Sequence, residues 1–272
     1  MSINHYTFGD TDLALVRLDR LADAYETTSR AFLRSVIPLT TTARPRSVDL
    51  GCGPGNTTRL IAAMFRPSRL DAYDASDRFV AVARRRLAES TLESARQAHV
   101  HHDDVTAGSF ARHCPDLVYA RHLLTHVAEP AALLRRASRA LAPGGVLAVE
   151  ETAGLDNADP LFRRYYELVS ALQAHYGQRT TIGRDLGTMA STNGLVVVDF
   201  TIRAHSLPAT TMAALHEANI STWRHDPFAR ETFDRAELTE LQRHFSSVAL
   251  GHVATSATSA PIGQLIVRAP TG

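Results

Sequence analysis

An open α/β sheet with helices on both faces is the fold class this sequence predicts. Three observations carry that expectation. Residues 47–61 read as a buried strand, a glycine turn and the start of a helix. Strand-like runs at residues 69–74, 98–105, 115–122 and 146–151 then alternate with helix-period segments, the pattern of a parallel sheet. The glycines of the turn, Gly51, Gly53 and Gly55, fall where such a sheet makes a nucleotide pocket, at the carboxyl end of its first strand.

The chain has 272 residues, room for one large domain or one domain with an added cap. Its formal charge of +1 gives it no electrostatic reason to seek nucleic acid. Arg84-Arg85-Arg86, with Glu89 and Glu93 nearby, reads as a solvated helix face. The sequence contains no lysine, which excludes a catalytic lysine or a Schiff base. No run of about eighteen apolar residues occurs, and the first residues lack the basic start and apolar core of a signal peptide. Two cysteines, Cys52 and Cys114, build no disulfide framework, so a cytoplasmic, reducing location is expected.

In order, residues 10–37 read as two helices, with Leu13, Val16, Leu18 and Leu21 striping the first and Tyr25, Phe32, Leu33 and Val36 the second. They stand ahead of the sheet's alternation, either as a lid over the site or as a cover for the sheet edge. Residues 40–45 break the chain before strand one. After the glycine turn, where Asn56 and Thr57 are capping types, a helix runs to about Phe65. The second strand ends in Asp74, and Ser76 is better placed than Asp74 to cap the helix over residues 77–93. A short third strand reaches Asp103 and Asp104. The fourth, residues 115–122, leads to Leu123-Leu124-Thr125-His126-Val127. A helix over 129–141 ends in Ala142-Pro143-Gly144-Gly145, which turns into the fifth strand. The second half differs, with helices at 159–176, 183–192, 209–223 and 235–245, a sixth strand from 195 to 200 or 204, and a last strand at 264–268. No repeat or low-complexity linker appears. One domain over residues 1–272 is expected: N-terminal lid helices in 1–42, a core in 43–151, and cap helices with the remaining strands in 152–272.

The glycine spacing is G-x-G-x-G, neither the dinucleotide fingerprint G-x-G-x-x-G nor a P-loop, which needs a Lys-Ser/Thr pair. The acid Asp49 beside the glycines would repel phosphate and suit a cationic ligand. With Asp74, Asp104 and Pro143-Gly144-Gly145 following in order, Asp49-Leu50-Gly51-Cys52-Gly53-Pro54-Gly55 resembles the first motif of class I S-adenosylmethionine (SAM) dependent methyltransferases. The resemblance spans residues 47–151 and points to the small-molecule, natural-product branch. It implies a Rossmann-like, mostly parallel sheet of seven strands with an antiparallel last strand, SAM as cofactor, and a small-molecule acceptor. It implies neither nucleic acid nor membrane as partner, and it leaves a homodimer open. By the same resemblance Asp49, Gly51, Cys52 and Gly53 belong to the cofactor turn. Asp74 and Ala75 would meet the ribose; Asp103, Asp104 and Val105 the adenine; Ala120 and Arg121 the cofactor's border with strand four. Asp104 matches the family position best, while Asp103 stands where glycine is usual. Tyr6 and Arg17 would close over the cofactor.

Methyl transfer from a sulfonium is an in-line displacement on an already activated donor, so alignment is the main task. A general base matters only for a protonated acceptor. His122, just past Ala120-Arg121, is the candidate base; alternatively it packs against the adjoining helix. His126, Glu151, Tyr176 and Trp223 are candidates to touch the acceptor. His99, His101, His102 and Asp104 could suggest a metal, but strand alternation puts His102 on the opposite face, and no metal is expected. Three functions compete: methyl transfer to O, N or C of a small molecule in secondary metabolism; SAM-dependent cyclisation or decarboxylation without methylation; and a non-catalytic partner protein. The intact glycines, Asp74 and Asp104 argue against the last.

Overall fold

The computed structural model describes residues 8–108, 110 and 113–271. Five parallel strands come first: β1 (Arg46–Leu50), β2 (Arg69–Asp74), β3 (His99–His102), β4 (Leu117–Arg121) and β5 (Val146–Thr152). β6 (Val196–Arg203) lies at the far edge. A two-stranded ribbon, β7 (Ser206–Leu207) with β8 (Thr258–Ser259), stands apart. β9 (Ile262–Arg268) inserts antiparallel between β5 and β6, giving a seven-stranded sheet in the order β3-β2-β1-β4-β5-β9-β6. The sheet is thus the expected mostly parallel one, with its antiparallel last strand one place in from the edge.

Helices α1 (Asp12–Val36), α2 (Asn56–Phe65) and α3 (Asp77–Ala88) cover one face. Phe32, Leu33, Leu60, Ile61 and Val80 there pack on Leu70, Ala72, Tyr119 and Ile266 of the strands. A single turn, α4 (Glu93–Arg96), follows α3; α5 (Pro130–Ala140) and a later α7 (Leu186–Thr192) cover the other face. Leu133, Leu134 and Leu186 bury Val118, Leu147, Val149 and Leu265. Strands covered on both faces have no side open to water, so β1, β4 and β5 are almost continuously buried; β4 and the first half of β5 are apolar there, while β1 buries Ser47 and Asp49 as well. A separate core forms the cap, where α6 (Pro160–His175), α8 (Ala209–Trp223) and α10 (Arg235–Ala249) enclose Phe162, Tyr165, Trp223, Leu241 and Phe245; α9 (Pro227–Thr232) adds Ala229. Phe8 and Tyr25 of the N-terminal segment join this cap core. No helix of the described residues is long and apolar enough to cross a membrane.

Several expected elements differ. The two N-terminal helices are one helix of 25 residues. The Thr27-Thr28-Ser29 run, weak in helix propensity, is held by tertiary partners: Thr28 bonds His205 and Ser29 accepts from Arg121. Its buried stripe also differs. Leu13 and Val16 stay 38% and 46% exposed, while Arg17 is 5% exposed. The helix expected over 77–93 ends at Ala88, after which α4 is separate. The cap of α2 is Gly55, left-handed at φ 93°, with no side-chain bond; Asn56 and Thr57 instead reach Asp19 and Asp49. Ser76 does cap α3, accepting from the Phe79 N–H at 3.1 Å. α10 runs on to Ala249, and α9 and the β7–β8 ribbon had no reading in the sequence.

Candidate functional site

A cavity of about 430 Å³ opens at the carboxyl ends of β1, β2 and β4, at the point where strand order reverses between β1 and β4. Its floor is the glycine turn. Gly51 and Gly53 lie at φ 69° and 52°, a left-handed region that side chains avoid. A Cβ on Gly51 would stand 2.9 Å from Leu123, a wall of the cavity, so the turn's closeness to the neighbouring loop requires glycine.

Asp74 sits at the end of β2 with its carboxylate fixed from two sides. Oδ2 accepts from the Gly53 N–H at 2.8 Å and Oδ1 from the Ser76 N–H at 2.9 Å. Desolvation raises its pKa, opposed by those same N–H groups. Ala75, Asp104 and Val105 continue the wall, and Asp104 Oδ1 is braced by the N–H and hydroxyl of Thr106. The sequence also gave no hint of the ring of Tyr73, which lines the cavity and stacks on His101 at 4.6 Å, nor of Phe79. Tyr73 directly precedes Asp74 at the carboxyl end of β2, and that adjacency is the one signal that could have found it.

The opposite end of the cavity is cationic and imidazole-rich. Arg121 lines it and donates from Nη1 to Ser29 Oγ at 3.1 Å. Residues 122–127 form a hook after β4, and His122, Leu123, His126 and Val127 line the cavity. His122 is held at φ 53°, its N–H donating to the Glu150 carbonyl at 2.9 Å, and its Nε2 is buried without a partner among the described residues. Desolvation, with the charge of Arg121 next, lowers its pKa to about 3. Desolvation and the charge of Arg17 lower that of His126 to about 4. Both rings are therefore neutral near pH 7. Arg17, buried, lays its guanidinium over the Phe8 ring at 4.5 Å.

The remaining sequence candidates fall elsewhere. Asp49 lies beneath the turn, fully buried, where Oδ2 accepts 2.7 Å bonds from Thr57 and Thr58; burial raises its pKa to about 6. Cys52 is buried with its Sγ toward the Gly53 carbonyl, and Ala120 lies buried within β4. Asp103 donates its N–H to the Asp74 carbonyl outside the cavity wall. Glu151 is fully buried and turns away under the hook. Tyr176 donates to Asp226, and Trp223 is packed in the cap core. Tyr6 lies outside the described residues. His101 bonds Asp71 and His102 bonds the Ala75 carbonyl, so the histidines of β3 are spent on separate partners.

The fit to SAM can be judged on these groups. The floor is acidic, and no arginine stands among the glycines, so the turn suits a cationic ligand better than a phosphate. Asp74 and Asp104 present carboxylates at successive strand ends, and the bare glycine backbone admits close approach. These residues fit the cofactor.

Comparison with known proteins agrees. A family model described as a methyltransferase domain matches residues 48–147. The chain is 36% identical over 135 residues to the trans-aconitate 2-methyltransferase of Variovorax paradoxus, covering 50% of this chain and 47% of that one. It is 33% identical over 147 residues to that of Rhizobium meliloti, covering 53% and 52%. The chain thus spans about half the length of the curated relatives it matches. Among solved structures, the 4+2 cyclase SpnF aligns with a TM-score of 0.57 at 17% identity, covering 92% of this chain and 84% of that one. A cyclopropane synthase from Mycobacterium tuberculosis aligns at 0.55 and 16%, covering 88% and 83%. At that identity the structures speak for the fold alone. Glycine turn, strand-end acids, sheet order and matched domain together make one case: residues 48–147 carry a methyltransferase domain of the class I SAM-dependent kind, whose cofactor is S-adenosylmethionine.

Proposed function

We propose that the protein transfers a methyl group from SAM to a carboxylate oxygen of a small organic acid. The observation that carries this reading is the polarity of the cavity: carboxylates at the Asp74 end, and Arg121, with Arg17 behind the hook, at the other. Gly51, Gly53, Asp74, Ala75, Asp104 and Val105 would hold the cofactor. When bound, SAM supplies a methyl carbon made electrophilic by its sulfonium. At the acceptor end, Arg121 and Arg17 favour an anion electrostatically, and the neutral imidazoles of His122 and His126 can donate a hydrogen bond to it. A carboxylate is already deprotonated and needs no general base, which agrees with a His122 whose pKa of about 3 leaves it a poor proton acceptor. On this reading His122 orients the acceptor rather than deprotonating it. The curated relatives are named for trans-aconitate, itself a carboxylate, which supports the same class of acceptor. An acceptor from secondary metabolism is compatible wherever it carries an exposed carboxylate.

The test is incubation with methyl-labelled SAM and a panel of di- and tricarboxylates, trans-aconitate included, beside amines and phenols. A labelled methyl ester is expected. Labelling confined to an amine or phenol would overturn the acceptor class. Binding of S-adenosylhomocysteine with no transfer to any acceptor would overturn methylation itself and favour the non-methylating chemistry seen in the name of the cyclase neighbour.

A further inference from the structure

The two consecutive glutamates at the end of β5 both serve the hook, by different means. Glu150 offers its carbonyl to the His122 N–H, while its carboxylate is taken by the Tyr119 hydroxyl at 2.5 Å and Gln264 at 2.7 Å. Glu151, with no exposed surface, turns its carboxylate under residues 123–125. Oε1 accepts from the Leu124 N–H at 2.5 Å, Oε2 from the Thr125 hydroxyl at 3.2 Å, and the N–H groups of Leu123 and Thr125 also converge on it. A buried carboxylate without a cationic partner is costly, and it persists only where several donors surround it. Here every donor belongs to the hook. The packing behind it leaves no slack: a Cβ on Gly183 would meet the Glu151 carbonyl at 2.2 Å, and Thr125 also reaches the Arg179 carbonyl at 3.3 Å.

We propose that Glu151 is a positioning residue, fixing the acceptor side of the site by gathering the backbone of residues 123–125 onto its carboxylate and so setting where His122 and His126 stand. The proposal rests on the reading above that these two imidazoles meet the acceptor. It replaces the expectation that Glu151 touches the acceptor itself.

Its ionised form is the one that accepts from all these donors. Burial raises its pKa to about 7, so the grip tightens as pH rises through neutrality. The charged groups facing it are otherwise engaged: Glu150 as above, Arg179 with Asp185, Arg184 with the Ala153 carbonyl. His122 and His126 on the hook are neutral at this pH.

The test compares the full-length wild type with Glu151→Gln and, should that variant fold poorly, Thr125→Val, which removes one of the same bonds. Amide hydrogen exchange in residues 122–126 should rise at least tenfold in Glu151→Gln while β4 stays protected. The kcat for the carboxylate acceptor should fall at least tenfold and its KM rise, with S-adenosylhomocysteine affinity held within threefold. The activity change near pH 7 should disappear. Thr125→Val should shift exchange and KM in the same direction by a smaller factor. Unchanged exchange in the hook, in either variant, overturns the proposal, as does a loss of cofactor affinity equal to the loss in kcat. A wild type inactive on every carboxylate, with exchange still released by Glu151→Gln, sinks the acceptor reading and leaves the positioning role standing.

Discussion

His122 combines two costs in one residue: a left-handed backbone without being glycine, and an imidazole stripped of water. Each is worth of order 1 kcal/mol or more, and such costs collect where a side chain must point one way. Asparagine tolerates that backbone best among the other residues. His122→Asn should therefore fold normally, hold S-adenosylhomocysteine within threefold and lose about tenfold in turnover; unchanged turnover in a steady-state assay would move the acceptor's contact elsewhere. Asp74→Ala removes a carboxylate able to accept charged hydrogen bonds worth about 1.5–3 kcal/mol each. Calorimetry should show cofactor affinity reduced by roughly tenfold or more, and an unaltered value would remove Asp74 from the binding site. The two glycines should also separate. A methyl on Gly53 has open space, with Leu18 at 3.8 Å, and meets only the backbone penalty, whereas one on Gly51 must push Leu123. Gly51→Ala should weaken binding more than Gly53→Ala; the reverse order would contradict the packing described.

At the scale of elements, α1 joins two regions. Its Leu18, with Gly9 and Asp10 of the segment leading into it, borders the cavity, while Phe32, Leu33 and Val36 cover the sheet. Its most unexpected feature is the buried guanidinium of Arg17. Its charge reaches both imidazoles of the hook, lowering the pKa of His122 and of His126. Arg17→Met should raise the acceptor KM at least tenfold in a steady-state assay; an unchanged KM would make Arg17 purely structural. This burial was not legible in the sequence, and the reason is physical. The apolar stripe through Leu13 and Val16 obeys helical period, but period says nothing of which side tertiary partners occupy, and the cap that selects the other side comes from residues more than a hundred positions later. By contrast β1, the glycine turn, β2 and Asp74 were legible, because a tight turn needs glycine locally and a short strand leading into such a turn places the next strand's terminal acid at a fixed interval beyond it. Glu151 was legible as an acid at the end of strand five but neither its burial nor its direction was, since one residue of strand phase decides whether a side chain faces the cavity or the hook.

Across the whole molecule the buried ionisable groups set a pH profile. His122, His126 and His216 have native pKa values lowered to about 3, 4 and 3, chiefly by desolvation. Below the ordinary value near 6.5, the unfolded chain binds protons that the native rings refuse, so their stability contribution is present above that pH and lost as pH falls. Asp49 and Glu151, raised to about 6 and 7, and Asp74, also raised, act oppositely: the native state holds their protons where the unfolded chain has lost them. Between about pH 6.5 and 4.5 the two sets oppose each other. Below about 4 the unfolded carboxylates protonate too, and His122 and His216 stand alone down to about 3, where their native rings take up protons, at up to about 1.4 kcal/mol per pH unit each. Asp19, Asp71 and Asp116, lowered by their arginine and histidine or amide partners against the opposing desolvation, add to the acid loss. Urea unfolding across pH should show a shallow slope down to about 4.5 and a steeper one between about 4 and 3. A steep fall beginning at 6.5 would mean the carboxylates do not hold their protons.

The placement of β9 has one more consequence, for the order in which the molecule can be made. It hydrogen-bonds β5 on one side and β6 on the other, yet it leaves the ribosome after both. Until it arrives, β5 presents a bare edge and β6 has no sheet to join. The cofactor half, β1 to β5, can condense early from contacts near in sequence, while the outer third of the sheet waits on the longest loop closure in the sheet. During that wait β6, with Val196, Val198 and Ile202 left exposed even in the finished sheet, is an adhesive strand. Arrested synthesis just short of Ile262 should therefore yield a chain that binds chaperones and aggregates through β6, and completing β9 should release it.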